Sequence, residues 1–428
     1  MIRIYTFIIL FLAMGRGSAV NAQTANHAAT AQSFISNLAA ADYEQALDLA
    51  AAAFKAKVSA ESISKIWQQL NQAYGPYESV SLPDSIDQNA SPLTIHTTFR
   101  DYVVPLTFHF NSEHEIVGFF VQQSPRVRGD VKKSPANFPE EEIKIKVDGG
   151  VISGNLMTPK NPQTGMPIAL LIAGSGPTDR DGNNAYGLQA NSYLLLAEAL
   201  ADNGIATFRY DKRLIGESVN FETSANKVVF NDFVQDAVTL GQFLKGRKDF
   251  GKFYIIGHSE GSNIGMVAAQ QLHPDAFVSI AGPGENLAEI LETQLLPDPN
   301  LAKQAKPIIA KLVKGEFVEN VPEELNGLFD PSIQAFIISS FQVEPTEEVS
   351  KLNVPVLLIG GTADLQVPTI NAELLKEANP NARLLLIKGM NHVLKAVGSG
   401  KEANLATYKS PGLPLHSDLV IGLVNFLK

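Results

Sequence analysis

The stretch FYIIGHSEGSNIGMVAAQQL, Phe253 to Leu272, changes rhythm halfway along. Phe253 to Ile256 are apolar without a break, as in a strand buried on both faces. From Ile264 onward the pattern is that of a helix. Between them lies Gly257-His258-Ser259-Glu260-Gly261. A strand that turns sharply into a helix needs small residues where the two backbones meet, and Gly257 and Gly261 supply them. Ser259 would then sit in a strained conformation with its hydroxyl exposed, the strand–turn–helix setting of a nucleophile elbow. A G-x-S-x-G match alone is weak in a chain of 428 residues; its setting raises it.

A serine hydroxyl is a poor nucleophile near neutral pH and needs a base. Toward the C-terminus, PVLLIGGTADLQVP places Asp364 after a continuously apolar run, and ARLLLIKGMNHVLK places His392 just past the next one. His392 is the candidate base, and Asp364 the group that fixes its tautomer and stabilises the imidazolium. Toward the N-terminus, IALLIAGSGPTDRDGN ends a strand at Gly174 and turns through Ser175-Gly176-Pro177. The amide of Gly176, or else of Ser175, is the candidate to join the amide of Glu260 in an oxyanion hole. Losing one such donor typically costs about 10²–10³ in rate.

Strand-like runs IKIKV, VISGNLM, PIALLIAG, IATFRYD, KFYIIGH, AFVSIAG, PVLLIGG and ARLLLIKG recur from Glu142, most separated by helical patterns, and the first two form a hairpin-like pair. This predicts an α/β domain over residues 142–428 with a mainly parallel sheet. One interval, residues 284–346, is too long for a simple crossover and reads as a helical cap insertion over the carboxyl ends of the strands, where ligands bind in open α/β sheets. The region before differs. A helical pattern with Ser59 and Ser62 as N-caps gives way to period-two runs LTIHTTFRDYVVPLTFHF and EIVGFFVQQ, a small α+β domain over residues 23–123. Residues 124–141, with Pro125, Pro135 and Pro139 among charges, read as a linker.

Residues 1–22 read as a signal peptide: Arg3, an apolar core around Ile8 to Leu12, and Val20-Asn21-Ala22 as the cleavage site. The expected location is therefore outside the cytoplasm, secreted, and periplasmic if the source is a Gram-negative bacterium. No other segment could span a bilayer. The chain has no cysteine, which excludes disulfides and thiolate metal sites. A formal charge of −10 argues against nucleic acid or an anionic membrane surface as a general partner.

Five segments in order, GSGPTDRDGN, RYDKRLIGES, GHSEG, GGTADLQVP and GMNH, make the stretch from Glu142 to Lys428 resemble the α/β-hydrolase superfamily, about two-thirds of the chain. The order Ser259, Asp364, His392 is the one found there. The resemblance is strongest to the bacterial carboxylesterase branch near the serine aminopeptidase-type hydrolases. It implies an eight-stranded sheet, esterase activity and no cofactor. The region before the linker is similar to a small domain of unknown function fused to such esterases, with a looser likeness to cystatin-like or NTF2-like modules. No His-Gly pair precedes the oxyanion loop, so the choice between Gly176 and Ser175 stays open.

Other features invite other chemistry. DRDGN lacks the glycine and glutamate of an EF-hand loop at Asn184 and Ala190, GSGPTD lacks the third glycine of a dinucleotide fingerprint, and GQFLKGRK lacks the Lys-Ser/Thr of a phosphate loop. His96, His109 and His114 have no carboxylate spaced to join them and read as surface histidines, so no metal site is expected. Arg209, Asp211 and Arg213 read as structural ion pairs, His258 as hydrogen-bonded near the elbow, and His416 as the opening of the last helix. The expected function is a serine carboxylesterase acting on small-molecule esters of short-to-medium acyl chains, with the cap over the acyl pocket. A peptidase or thioesterase with the same three residues, and a non-catalytic binding protein, are the alternatives. The oligomeric state is not legible.

Overall fold

Alternation in the first part of the chain becomes one antiparallel sheet. Its strands are β1 (Tyr77–Ser81), β2 (Leu93–Phe99), β3 (Tyr102–Phe110), β4 (Ile116–Val121) and β5 (Arg126–Val127), in the order β1-β2-β3-β4 with β5 on the start of β3. Leu93, Ile95, Thr97 and Phe99 are buried and the residues between them are not, as a half-buried strand requires. The helix His27–Ala39 covers the sheet through Phe34, whose ring meets Phe108 and Phe119 at 5.7 and 5.5 Å. Ser59 caps the helix Ala60–Tyr74 by accepting the Ser62 amide, whereas Ser62 lies inside that helix.

The computed structural model describes residues 26–82, 87–100, 102–121, 126–127, 138–184, 187–218, 221, 225–296, 298–398 and 400–428. The expected signal peptide, residues 1–22, and most of the expected linker lie outside these. The chain divides into two units, residues 1–133 and 134–428. Backbone pairing reaches into 124–141 from both sides: Arg126–Val127 pair with β3, and the first strand of the second unit begins at Glu140. These short ends carry no hydrophobic period, so the sequence pattern did not reveal them.

The second unit is built on eight strands: β6 (Glu140–Val147), β7 (Gly150–Met157), β8 (Met166–Ile172), β9 (Ala206–Tyr210), β10 (Phe250–His258), β11 (Ala276–Ile280), β12 (Val356–Gly361) and β13 (Arg383–Ile387). Their order is β6-β7-β9-β8-β10-β11-β12-β13. β6 and β7 form an antiparallel hairpin and β7 pairs antiparallel with β9; every pair beyond is parallel. Period two sends alternate residues to opposite faces. Ile168, Leu170, Ile172 and Ile255 join the core beneath the helices Phe230–Gly246 and Glu260–Leu272. Ala169, Leu171, Tyr254 and Ile256 join the core beneath Ser192–Asp202 and Ser417–Leu427. Burial on both faces explains the unbroken apolar runs.

Between β11 and β12 runs a helical insertion, including Leu287–Leu295, Pro299–Val313 and Gln334–Ser340. It has an apolar centre of its own around Leu291, Ile309, Leu312 and Phe329. Phe336 anchors it to Phe230 and Phe233, and the Ser339 hydroxyl accepts the Phe230 amide at 2.8 Å.

Candidate active site

Ser259 stands between β10 and the helix Glu260–Leu272 with φ 53° and ψ −127°, a conformation that costs a non-glycine residue on the order of 1–3 kcal/mol. The surroundings enforce it. A Cβ on Gly257 would lie 2.3 Å from the Gly261 carbonyl oxygen, and one on Gly261 would lie 2.2 Å from that of Ile172. The helix therefore starts closer to β8 and β10 than any side chain would permit. The Ser259 amide is held by the Ile280 carbonyl at 2.9 Å. At the helix start, the Glu260 amide has no intrahelical acceptor.

Asp364 follows β12 and His392 follows β13, and the two side chains meet: His392 Nδ1 lies 2.8 Å from Asp364 Oδ2. The other Asp364 oxygen accepts the amides of Gln366 and Val367 at 2.8 and 2.9 Å. Burial pushes the Asp364 carboxyl up, but the imidazole and those two amides outweigh it and hold it below its ordinary value. An ionised carboxylate only accepts, so Nδ1 carries the proton and Nε2 is left as the basic nitrogen. Ser259 and His392 border the same cavity; among the described residues no hydrogen bond joins them.

The loop after β8 lies directly against the elbow. A Cβ on Gly174 would come within 3.1 Å of Ser259 Cβ and 3.3 Å of His258 Nδ1. Gly174 is gripped at both ends of its peptide unit. Its amide donates to the Tyr193 hydroxyl at 2.9 Å, and its carbonyl accepts from Lys212 Nζ at 2.6 Å. Tyr193 in turn donates to His258 Nδ1 at 2.9 Å, and His258 Nε2 donates to the His392 carbonyl at 2.9 Å. Both ring nitrogens of His258 are thus used by the neutral imidazole, and burial, with His392 alongside, depresses its pKa to about 3. Lys212, its side chain 4% exposed, also pairs with the Glu260 carboxylate at 3.1 Å. With the Gly174 amide spent, the amides of Ser175 and Gly176 follow it on this loop, and neither they nor the Thr178 amide makes a hydrogen bond among the described residues. Sequence reasoning passed over Tyr193 and Lys212. The available signal was a lysine among arginines and aspartate at the end of the fully buried β9.

A cavity of about 310 Å³ opens beside Ser259 and His392. Its walls come from the loop after β8, from Gly182, Asn184, Gly187, Leu188, Ser192 and Tyr193, and from Gln366, Val393 and Tyr408. Among the described residues none of its lining comes from the insertion, 284–346, which the sequence placed over the acyl pocket. The insertion is instead anchored through Phe336 on the helix Phe230–Gly246.

The family model described as serine aminopeptidase, S33, matches residues 185–315. Esterase EstD of Thermotoga maritima is 28% identical over 379 residues, 86% of this chain and 88% of that one. The chain carries the α/β-hydrolase fold in its second unit. It is a hydrolase, with a first unit whose residues 31–119 match a protein of unknown function (DUF3887). Similar solved structures include Est1E from Butyrivibrio proteoclasticus, at 17% identity over 67% of this chain and 98% of that one, with a TM-score of 0.42. An esterase of Pyrococcus furiosus has 17% identity over 62% of this chain and 87% of that one, with a TM-score of 0.44.

Several other charged residues of the hydrolase form a largely buried frame. Arg209 pairs with Glu140 at 2.5 Å and Asp181 at 2.9 Å, Arg180 with Asp211 at 2.6 Å, and Arg213 with Asp236 at 2.7 Å. The DRDGN segment folds on itself, with the Asp179 carboxylate accepting the amides of Asp181 and Asn183. His416 caps the last helix by accepting the Asp418 amide at Nδ1, while Nε2 meets the Lys388 carbonyl, so neither nitrogen is free to act as a base. His96, His109 and His114 are half-buried rather than on the surface, and burial lowers the His109 pKa. Among the described residues, no group of three or more His, Cys, Asp or Glu side chains could hold a metal ion.

Proposed function

We propose that the hydrolase is a serine carboxylesterase acting on small-molecule esters with short acyl groups. The observation that carries this is the pairing of His392 with Asp364 at 2.8 Å on the cavity bordered by Ser259. Ser259 Oγ attacks the ester carbonyl as His392 Nε2 takes its proton, through a hydrogen bond that forms once substrate is bound. The developing oxyanion is received by the Glu260 amide and that of Gly176 or Ser175. Lys212 keeps these two sides in register by holding the Gly174 carbonyl and the Glu260 carboxylate together. Collapse expels the alcohol with the proton from His392, and water activated by His392 releases the acid. Asp364 stays ionised throughout.

The esterase name of the Thermotoga maritima relative supports esters over amides. A medium acyl chain needs an apolar trough; among the described residues the cavity at Ser259 offers none, which favours short acyl groups. The signal-like first residues support export, into the periplasm where the source cell has an outer membrane. A fluorophosphonate probe should label the pure protein and fail on Ser259→Ala, with nitrophenyl acetate turnover falling as much as about 10⁶-fold. Undiminished labelling of the variant, or faster turnover of an amino-acid anilide than of the ester, overturns the assignment.

A further inference from the structure

The cavity beside Ser259 is small, and side chains able to hydrogen-bond dominate its walls: Ser175, Thr178, Asn184, Gln366 and Tyr408, against Leu188 and Val393. Tyr408 accepts the Gln366 side-chain amide at its hydroxyl oxygen at 2.9 Å, which orients both. Its own O–H meets no acceptor among the described residues, and neither the Ser175 hydroxyl nor the Ser175 amide makes a hydrogen bond among them. An alkyl group filling this space would strip water from these groups and return nothing. A ligand carrying several hydroxyls would satisfy them.

The geometry also says which half of an ester lies there. The histidine that accepts the serine proton passes it to the leaving oxygen, so the leaving alcohol lies on the histidine's side. His392, Val393, Gln366 and Tyr408 all line the cavity.

Resting on the carboxylesterase reading, we propose that the alcohol half of the substrate is a polyhydroxylated, carbohydrate-like group, oriented by Gln366 and Tyr408. The reaction is a balanced hydrolysis: water adds across the ester, giving a short carboxylic acid and the free polyol.

The test holds the acyl group constant and varies the alcohol. Initial rates on methyl xyloside monoacetate and glyceryl monoacetate are compared with those on butyl and hexyl acetate, by titration of the released acid. The expected kcat/KM is at least about 10-fold higher for the hydroxylated acetates, with the difference mostly in KM. Tyr408→Phe and Gln366→Leu should each lower that ratio several-fold, and circular dichroism with thermal unfolding reports that the variants are folded. Alkyl acetates matching or exceeding the hydroxylated ones, or a ratio unmoved by both substitutions, overturns the proposal while leaving the esterase reading in place. Fluorophosphonate labelling of Ser259 without turnover of any acetate, nitrophenyl acetate included, overturns both.

Discussion

The elbow and the loop after β8 touch across Ser259, yet they are held in place by different forces. The elbow is held by exclusion: Gly257 and Gly261 are pressed so close to backbone oxygens that no side chain fits, and Ser259 takes its strained φ because nothing else closes the turn. The loop is held by attraction from a distance. Gly174 is gripped by Tyr193 and Lys212, and for Gly176, at φ 75°, no atom of the described residues beyond its chain neighbours lies within 4 Å of where a Cβ would stand. One half of the site is written in its own five residues, and the other borrows its position from residues 19 and 38 positions away. In the proposed mechanism, preorganisation of the oxyanion site depends on both, because the donors must wait where charge will develop.

The sharpest way to break the contrast is at the elbow. Gly261→Ala forces a methyl group against the Ile172 and Ala173 carbonyl oxygens, 2.2 and 2.5 Å away. The backbone must move, at an expected cost of about 3 kcal/mol in denaturant unfolding. A shift of about 1 Å at Ser259 should also cost about 10²-fold in kcat/KM on nitrophenyl acetate. Wild-type stability in this variant would show that the elbow is not held by exclusion.

The loop should fail differently. Lys212→Met leaves the Glu260 carboxylate unpaired and the Gly174 carbonyl without its donor, which predicts a loss of about 3 kcal/mol and about 10²-fold in kcat with KM little changed. Adding Glu260→Gln removes the unpaired charge. Stability should then recover while kcat does not; joint recovery of both would reduce Lys212 to a structural role.

The smallest effect concerns His258, the hinge between the two regions. Its pKa, about 3 in the folded protein, lies below the unfolded value of 6.5, so its contribution to stability is intact above pH 6.5 and is lost as pH falls toward 3. One excluded proton corresponds to about 1.4 kcal/mol per pH unit across that window. His258→Gln, less stable near neutrality, should show an unfolding free energy that falls less steeply between pH 6 and 4.5. Parallel slopes for the two proteins would exclude His258 as the acid-sensitive group.

Much of the fold was legible because burial on both faces of a sheet leaves continuous apolar runs, and all eight that were read correspond to strands. The hairpin at the start of the sheet was equally plain. The position of the insertion between β11 and β12 could be read from the length of the interval, but its relation to the cavity could not. Phe336 is one more apolar residue in a helical pattern until Phe230 and Phe233 are brought beneath it. Lys212 was passed over for a similar reason. Its neighbours Arg209, Asp211 and Arg213 read as structural ion pairs, but only the fold shows the lysine beside them buried between Gly174 and Glu260.

By itself, the sequence determined the succession of strands and helices, the sharp turn at Ser259 and the order in which serine, aspartate and histidine arrive at strand ends. These follow from period, residue size and backbone sterics, which act between near neighbours in the chain. Tertiary structure alone decided which polar groups grip the loop after β8, which charges pair beneath it and what lines the cavity. Those contacts join residues 38, 48 and 65 positions apart, and a hydrogen bond leaves no periodic trace in the sequence that makes it.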